Sequence, residues 1–258
     1  MAQGETFALL GVNGAGKTTT ISMLCGLTKP TSGNAYLLGE SVLTDAKRIK
    51  PQINLSPQET AVAPNLSVTE NLRLIAGIYG QSAQQAKAST QQALDEFGLN
   101  AVASQKAHTL SGGMQRRLSI AMGLITNPKI LFLDEPTSGL DPAARAEVHR
   151  MLAELKAAGT TIFLTTHDMA EAESCCDRLA ILNEGRIVTM GTPQSLTMEH
   201  ARNRLVVTTR MHGVVELTKD AASADTVRDL LAAGEVLSLH SDEPNLEEVF
   251  LELTGKEF

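Results

Sequence analysis

Cysteine is scarce in this chain, and positive charge does not dominate it. The 258 residues include three cysteines, Cys25, Cys175 and Cys176. Two of them are adjacent and none has the spacing of metal ligands, so we expect a reducing, cytosolic compartment and no disulfide framework. The formal net charge of −7 argues against a nucleic-acid-binding surface, because such surfaces neutralise phosphates with lysine and arginine.

Long hydrophobic runs are also absent from the sequence. A helix that spans a bilayer needs about 18 or more consecutive apolar residues, and no run approaches that length. The N-terminus does not have the pattern of a secretory leader. We therefore expect any membrane-spanning part of the working protein to be a separate chain. The length is sufficient to bury a large core in one large domain or two.

The most informative segment that is present is residues 11–18, which match the phosphate-binding pattern of glycine, four residues, glycine, lysine and threonine. Glycines let successive backbone N–H groups turn toward one point, which the positive N-terminus of a following helix also faces. A chance match in a glycine-containing turn is the alternative. The apolar run at residues 6–10 and the helical pattern after the lysine favour the phosphate site. The expected nucleotide-binding residues are Asn13, Gly14, Ala15, Gly16, Lys17, Thr18 and Thr19.

A pair of carboxylates ends the apolar segment at residues 129–135. Asp134, at the carboxyl end of a strand, is suited to hold Mg²⁺ together with the Thr18 hydroxyl. Glu135 is suited to accept a proton from an attacking water. Two solvated acids at a strand end are the alternative, and the phosphate loop upstream favours the catalytic interpretation.

A serine and two glycines at residues 111–113 precede a segment of helical composition over residues 112–125. Ser111 is placed to cap this helix, whose N-terminus offers free N–H groups and a positive dipole to an anion. This signal is weak alone. The segment resembles the signature motif of the ATP-binding cassette (ABC) ATPases, and the motifs described above agree with that family in order and spacing.

The resemblance to the ABC ATPases covers about residues 4–195. Gln58 falls where that family has its glutamine loop, the segment from Ser138 to Asp141 is similar to its D-loop, and His167 is similar to its switch histidine. A lone glutamine after a proline is usually a turn residue, and a lone histidine after a threonine-rich strand is more often structural. Both assignments therefore depend on the complete series of motifs.

The order of apolar and polar segments predicts an α/β alternation with a helical insert. Expected strands lie at residues 6–10, 34–38, 53–56, 129–135 and 160–166, with a hairpin of 178–182 and 186–190. Expected helices extend to about residue 27, over 67–79, 82–97 and 112–125, and onward from 142. After residue 198 the pattern predicts strands at 205–209 and 214–217 and helices at 224–233 and 245–251.

The resemblance implies a P-loop NTPase (RecA-like) core with an inserted α-helical subdomain and a small C-terminal α+β extension. The core would comprise residues 1–57 and 127–198, the helical signature subdomain residues 58–126, and the extension residues 199–258. The family's first antiparallel strands would be largely missing, because Met1 lies shortly before the phosphate loop.

The resemblance also implies a mechanism that uses ATP and Mg²⁺ as cofactors. Two nucleotide-binding domains, in a homodimer or a heterodimer, would pack head to tail around two ATP molecules, and their closure would move a separate transmembrane permease. The chain would be cytoplasmic and peripheral at the inner face of the cell membrane, with no nucleic acid partner. The implied residues are Glu135, His167, Gln58 and Lys17 for catalysis, Ser111, Gly112 and Gly113 for the γ-phosphate held by the opposite copy, Thr18, Gln58 and Asp134 for Mg²⁺, and Ser138 and Asp141 for the D-loop dimer contact.

Two departures from the family pattern concern single residues. The aromatic that stacks on adenine belongs to the missing strands, and Phe7 is not a substitute because it lies in the strand that leads into the phosphate loop. Stacking of a base on an aromatic ring contributes about 1–3 kcal/mol, so we expect weaker ATP binding than in an intact relative. Met114 stands where glutamine is more frequent, a difference that exporter-type relatives tolerate.

The C-terminal ending and residues 65–72 resemble bacterial ABC-2 type exporter ATPases of the drug-resistance and sodium-efflux type. This resemblance predicts a transport-coupled ATPase that converts ATP and water to ADP and phosphate. A soluble ABC ATPase that acts on an assembly or remodelling partner is the alternative. Intact Lys17, Asp134, Glu135 and His167 argue against a non-hydrolysing partner in a heterodimer. The tail is either a stabilising appendage or a dimer contact.

Overall fold

A computed structural model of the chain describes residues 1–201, 204–242 and 244–255. The chain divides into two compact units, one spanning Met1–Met190 and the other beginning at Gly191. The residues outside the description, 202–203, 243 and 256–258, all fall in the predicted C-terminal extension, and the prediction for those positions lies outside the described residues.

The first unit is built on a six-stranded sheet whose strands β4 to β7 are parallel. The sheet has the order β4-β5-β6-β1-β7-β8, and the pairs β4–β5, β5–β6, β6–β1 and β1–β7 are parallel. Its described strands and helices are β1 (Thr6–Leu10), α1 (Lys17–Leu24), β2 (Tyr36–Leu37), β3 (Glu40–Ser41), α2 (Ala46–Ile49), β4 (Ile53–Ser56), α3 (Val68–Ile78), α4 (Ala83–Glu96), α5 (Gly112–Leu124), β5 (Ile130–Asp134), α6 (Pro142–Ala157), β6 (Thr161–Thr166), α7 (Met169–Cys175), β7 (Arg178–Asn183) and β8 (Arg186–Gly191). The predicted α/β class is confirmed.

The central strands of this sheet form the core of the unit. Every residue of β1, β5 and β6 is buried, as expected for parallel strands that are covered on both faces. The Phe7 ring stacks on Phe163 with centroids 5.7 Å apart, and Phe132 lies 5.6 Å from Phe163 on the same cluster. Phe7 is therefore a core residue, in agreement with the expectation that it does not stack on adenine.

In the first unit, the predicted helices begin at their caps and end slightly earlier than expected. Ser67 and Glu70 form the predicted capping box at the start of α3. Helix α1 ends at Leu24 rather than near residue 27, because Gly26 adopts a left-handed conformation with φ 66° that terminates the helix. Helix α5 ends at Leu124, one residue before the predicted end.

The second unit combines helices with an antiparallel sheet of order β10-β9-β11. Its described elements are α8 (Pro193–Glu199), β9 (Arg204–Thr209), β10 (Gly213–Thr218), α9 (Ala221–Ala232), β11 (Val236–Ser241) and α10 (Leu246–Thr254). Strand β11 was not expected from the sequence, because a short run with two serines and a histidine has little strand signal; pairing with β9 defines it. Asn245 caps α10 in a capping box with Glu248. Among the described residues, no helix is both long and apolar enough to cross a bilayer.

Candidate functional site

Four predicted motifs meet at one edge of the large sheet. The phosphate loop follows β1, Gln58 follows β4, Glu135 follows β5, and His167 follows β6. Because these strands are neighbours and parallel, their carboxyl ends lie at the same edge. In open α/β sheets ligands bind outside the carboxyl ends of the strands.

The phosphate loop depends on glycine at two positions for different reasons. A Cβ atom on Gly11 would lie 2.5 Å from the Leu182 carbonyl oxygen, so only glycine fits where the loop passes β7. Gly16 has φ 107°, a conformation that side chains rarely adopt, and α1 begins immediately after it. Gly185 donates its N–H to the Ala15 carbonyl at 2.9 Å and so fixes the loop from outside. The first-turn N–H groups of α1 have no partner within the helix and are available to an anion.

The Lys17 ammonium is held inside this loop. Its Nζ atom donates to the Gly11 carbonyl at 2.7 Å and to the Val12 carbonyl at 3.3 Å. The same atom lies 3.0 Å from Glu135 Oε1, and both side chains are only 5% exposed. The sequence predicted that Lys17 binds phosphate and that Glu135 activates water. In the structure the two side chains form a buried ion pair with each other.

Glu135 is the residue on which the predicted catalytic side chains converge. Its Oε2 atom lies 3.0 Å from His167 Nδ1 and accepts from Gln58 Nε2 at 3.4 Å. Its backbone has φ 46°, an uncommon conformation for a residue other than glycine. Its N–H donates to the carbonyl of Thr165 at 3.0 Å and to the hydroxyl of the same residue at 3.1 Å. The structure thus brings together all four side chains that the sequence proposed for catalysis.

The predicted magnesium ligands are oxygen donors of the type that Mg²⁺ prefers. Asp134 is 3% exposed, and its carboxylate accepts a hydrogen bond from the Thr165 hydroxyl, which orients it. Thr18 is exposed in the first turn of α1, and Gln58 is exposed beside Glu135. A hydroxyl, an amide oxygen and a carboxylate form a set that fits a divalent cation bound jointly with a nucleotide. Among the described residues, three or more histidine, cysteine, aspartate or glutamate side chains do not cluster as metal ligands.

The signature residues lie at the start of α5. The Ser111 hydroxyl accepts from the Met114 N–H at 3.3 Å and so caps the helix as predicted. Gly112 faces open space, whereas a Cβ atom on Gly113 would lie 2.8 Å from Ala144 Cβ. Within the described part of the chain, no hydrogen bond joins Ser111 to the phosphate loop.

The two D-loop residues, Ser138 and Asp141, are exposed in the segment that leads into α6. The Asp141 carboxylate accepts from the Ala144 N–H at 2.9 Å and caps α6. The Ser138 N–H donates to the Glu135 carbonyl at 3.2 Å. Asp141 therefore has a local role in the helix, besides the dimer contact that the resemblance implies.

Sequence reasoning missed two residues that hold the site. Thr165 contacts both Asp134 and Glu135 through its hydroxyl, and its only sequence signal is a position two residues before His167. Arg116 lies in α5 at 3% exposure and donates to the Glu135 carbonyl at 2.5 Å. Burial lowers the pKa of the Arg116 guanidinium, and nearby carboxylates oppose that shift. An arginine on the buried side of a helix was the available signal.

Comparisons with known proteins agree with this geometry. Residues 1–138 match the family described as ABC transporter. The chain is 39% identical over 275 residues to the Nod factor export ATP-binding protein I of Burkholderia lata, covering 98% of this chain and 89% of that protein. It is 36% identical over 284 residues to the linearmycin resistance ATP-binding protein LnrL of Bacillus subtilis, covering 99% of this chain and 91% of that protein.

A solved structure supports the same assignment. It is the dimeric post-hydrolysis state of an ATP-binding cassette bound to ADP and phosphate, with a TM-score of 0.67 at 27% identity, covering 74% of this chain and 87% of that chain. Sequence match, fold and site agree. The chain therefore belongs to the ABC transporter family, as a subunit that binds ATP and hydrolyses it to drive transport.

Proposed function

We propose that this chain drives export by an ABC transporter. The relatives described above are named for export and for resistance, and both match nearly the whole length of this chain. The resemblance of residues 65–72 and of the C-terminal ending to exporter ATPases supports the same direction of transport.

The observation that carries the catalytic part of the proposal is the convergence of Lys17, Gln58 and His167 on the Glu135 carboxylate. In the proposed reaction Glu135 orients the attacking water and accepts its proton. Lys17 and the loop N–H groups stabilise phosphate charge, and His167 and Gln58 hold the geometry around Glu135. Bound ATP and Mg²⁺ supply the phosphoryl group and the cation that neutralises its charge. Thr18, Asp134 and Gln58 would hold the Mg²⁺.

A second nucleotide-binding domain completes the proposed site. Ser111 and Gly112 are exposed, and Ser111 has no hydrogen bond to the phosphate loop among the described residues. These features support contact between residues 111–113 and the γ-phosphate held by an opposite copy, with Ser138 and Asp141 at the dimer contact. The dimeric state of the solved relative is consistent with this arrangement.

A separate membrane subunit is the proposed partner at the cell membrane's inner face. We assign residues 1–57 and 127–198 to the core and residues 58–126 to the helical subdomain that receives it. Leu74 and Ile78 of α3 and the following residue Tyr79 are exposed by 45%, 68% and 41%. Such exposed apolar side chains are suited to contact a partner's helix.

Ile78→Arg is expected to reduce the share of the chain that sediments with membranes of the source cells and to leave basal ATP hydrolysis unchanged. Unchanged sedimentation would argue against this surface.

The experiment that tests the ATP-dependent dimer is the light-scattering mass of the Glu135→Gln chain with and without ATP and Mg²⁺. That change retains the shape of the side chain but removes the proton acceptor, so bound ATP should persist. We expect a shift from monomer to dimer only with ATP. The control is Lys17→Met added to Glu135→Gln, which should stay monomeric. A persistent monomer that still binds ATP in a nucleotide titration would contradict pairing of identical chains.

A further inference from the structure

Arg116 joins the signature helix to two loops of the catalytic edge. It is in the second turn of α5, and its guanidinium is buried among backbone carbonyls. Nη1 donates to the Pro57 carbonyl at 2.7 Å, which is the residue before Gln58. Nη2 donates to the Glu135 carbonyl at 2.5 Å and to the Asp134 carbonyl at 3.3 Å. One side chain therefore fixes the backbones that carry Gln58 and Glu135.

The backbone of Glu135 needs such support. A φ of 46° places it in the left-handed region, where a residue with a side chain persists only if the surrounding structure holds it. Thr165 holds the N–H side of this residue and Arg116 holds the carbonyl side. With both peptide groups fixed, the Glu135 carboxylate is directed at Lys17, His167 and Gln58.

The chemistry of arginine suits this position better than that of lysine. A guanidinium presents several donors in a rigid plane, so it bonds carbonyls that lie in different directions, whereas an ammonium is a compact point charge. The buried cation also has a buried counter-charge. Glu171 on α7 is 1% exposed, neither carboxylate oxygen has a hydrogen-bond partner among the described residues, and its charge acts on Arg116. His149 Nε2 lies 3.4 Å from Glu171 Oε1 on the other side.

We propose that Arg116 is a positioning residue for ATP hydrolysis, which holds Glu135 in its left-handed backbone conformation and keeps its carboxylate aimed at the reacting water. Arg116 acts through Glu135 and has no contact with nucleotide in this mechanism. The inference rests on the role proposed above for Glu135. It adds a second role for helix α5. The helix presents Ser111 to the ATP molecule held by the opposite copy, and through Arg116 it also fixes Glu135, which acts on the ATP molecule held by its own chain.

The first test measures the effects of Arg116 variants on kcat and on KM separately. Arg116→Lys keeps the charge but not the planar set of donors. Arg116→Met combined with Glu171→Gln removes the contacts without leaving an unpaired buried charge, so it serves if the lysine variant does not fold. We expect kcat for ATP hydrolysis to fall about ten- to a hundredfold, as for a displacement of about 1 Å at a reacting group. The KM for ATP should stay within about twofold, because contacts to the nucleotide are retained.

The matched control is Arg150→Lys, since Arg150 is an exposed arginine on α6 that pairs with Glu154 and lies outside the proposed site. Its kcat should equal that of the unaltered chain. An unaltered kcat in the Arg116→Met, Glu171→Gln chain would overturn the proposal. A loss confined to KM would overturn it as well, because it would mean that Arg116 serves nucleotide binding.

The second test combines the Arg116 variants with Glu135→Gln. If Arg116 acts through Glu135, the residual slow hydrolysis of Glu135→Gln should not fall further when Arg116 is replaced. A general structural role predicts the same fold loss in both backgrounds, and that result would overturn the inference. Full hydrolysis by Glu135→Gln alone would overturn the role of Glu135 and the inference with it. A loss in Glu135→Gln with unaltered Arg116 variants would overturn the inference alone.

Discussion

The two units of the chain differ most clearly in how their strands meet solvent. Every residue of β1, β5 and β6 in the first unit is buried, whereas β10 and β11 in the second unit are exposed at most positions. Parallel strands covered on both faces need continuous apolar runs, and this need leaves room for polar side chains only at the strand ends. The predicted catalytic side chains of the first unit are therefore concentrated at one edge.

The same contrast appears in the ion pairs of the two units. Lys17 and Glu135 are 5% exposed each, and Arg204 and Glu216 are 45% and 59% exposed. Burial of a charge pair is costly in desolvation, so a buried pair is weak evidence of a stabilising role and is common at functional sites. An exposed pair contributes about 0–1 kcal/mol. The comparison therefore contrasts a buried ion pair at the proposed catalytic edge of the first unit with an exposed ion pair in the second unit.

The largest expected effect is a difference in the rate of phosphate release between variants of Glu135 and Glu216. Glu135→Gln should lower the rate of phosphate release by about a hundredfold or more, the usual contribution of a general base. Glu216→Gln makes the same chemical change in the exposed pair of the second unit, and its rate should match that of the unaltered chain. Equal losses in both variants would remove the contrast.

The next effect compares two buried phenylalanines. Phe132 is 1% exposed in the first unit and Phe250 is 0% exposed in the second. Either change to alanine should lower the free energy of unfolding by about 3–5 kcal/mol. Both tyrosines, Tyr36 and Tyr79, belong to the first unit, and the chain has no tryptophan. Tyrosine fluorescence during denaturation should therefore shift with Phe132→Ala and not with Phe250→Ala, whereas circular dichroism should respond to both. A shift of the tyrosine signal with Phe250→Ala would mean that the units unfold together.

A smaller effect compares two helix caps. Ser111 caps α5 and Asn245 caps α10 through side-chain hydrogen bonds. Replacement of either by alanine should cost about 1 kcal/mol of stability, measured by thermal unfolding. Only Ser111→Ala should also weaken ATP-dependent dimerisation, because Ser111 is the proposed contact to the opposite γ-phosphate. If Asn245→Ala weakened the dimer equally, the tail would be a dimer contact.

Sequence was sufficient for the parts of the site that are local to one strand end. Glu135 and His167 directly follow a strand, Gln58 follows β4 after one residue, and parallel neighbours bring such positions together. The assignments of Gln58 and His167 also depended on the resemblance to the ABC ATPases. The phosphate loop is likewise contained in one segment, with its glycines set by a close approach and a positive φ. The caps at Ser67 and Ser111 are also local, which is why their positions were predicted correctly.

The remainder depends on contacts that no single segment contains. Arg116 meets Pro57 and Glu135 across 59 and 19 residues of chain, and only the packing of α5 on the sheet creates that cluster. The pairing of Lys17 with Glu135 is likewise a result of tertiary placement. Strand β11 was missed because its residues are mostly exposed, so that pairing with β9, rather than burial, determines its conformation.

The smallest expected effect concerns the Cys25 thiol, whose rate of alkylation should change in only one of the two phenylalanine variants. Burial raises the pKa of Cys25 to about 12, so at pH 8 the reactive thiolate is nearly absent. Alkylation of Cys25 therefore requires opening of the first unit, where all three cysteines lie. Phe132→Ala should speed this alkylation, and Phe250→Ala should leave its rate unchanged, as followed by mass spectrometry of the peptide that contains Cys25. Faster alkylation with Phe250→Ala would contradict separate opening, because it would show that the second unit stabilises the first.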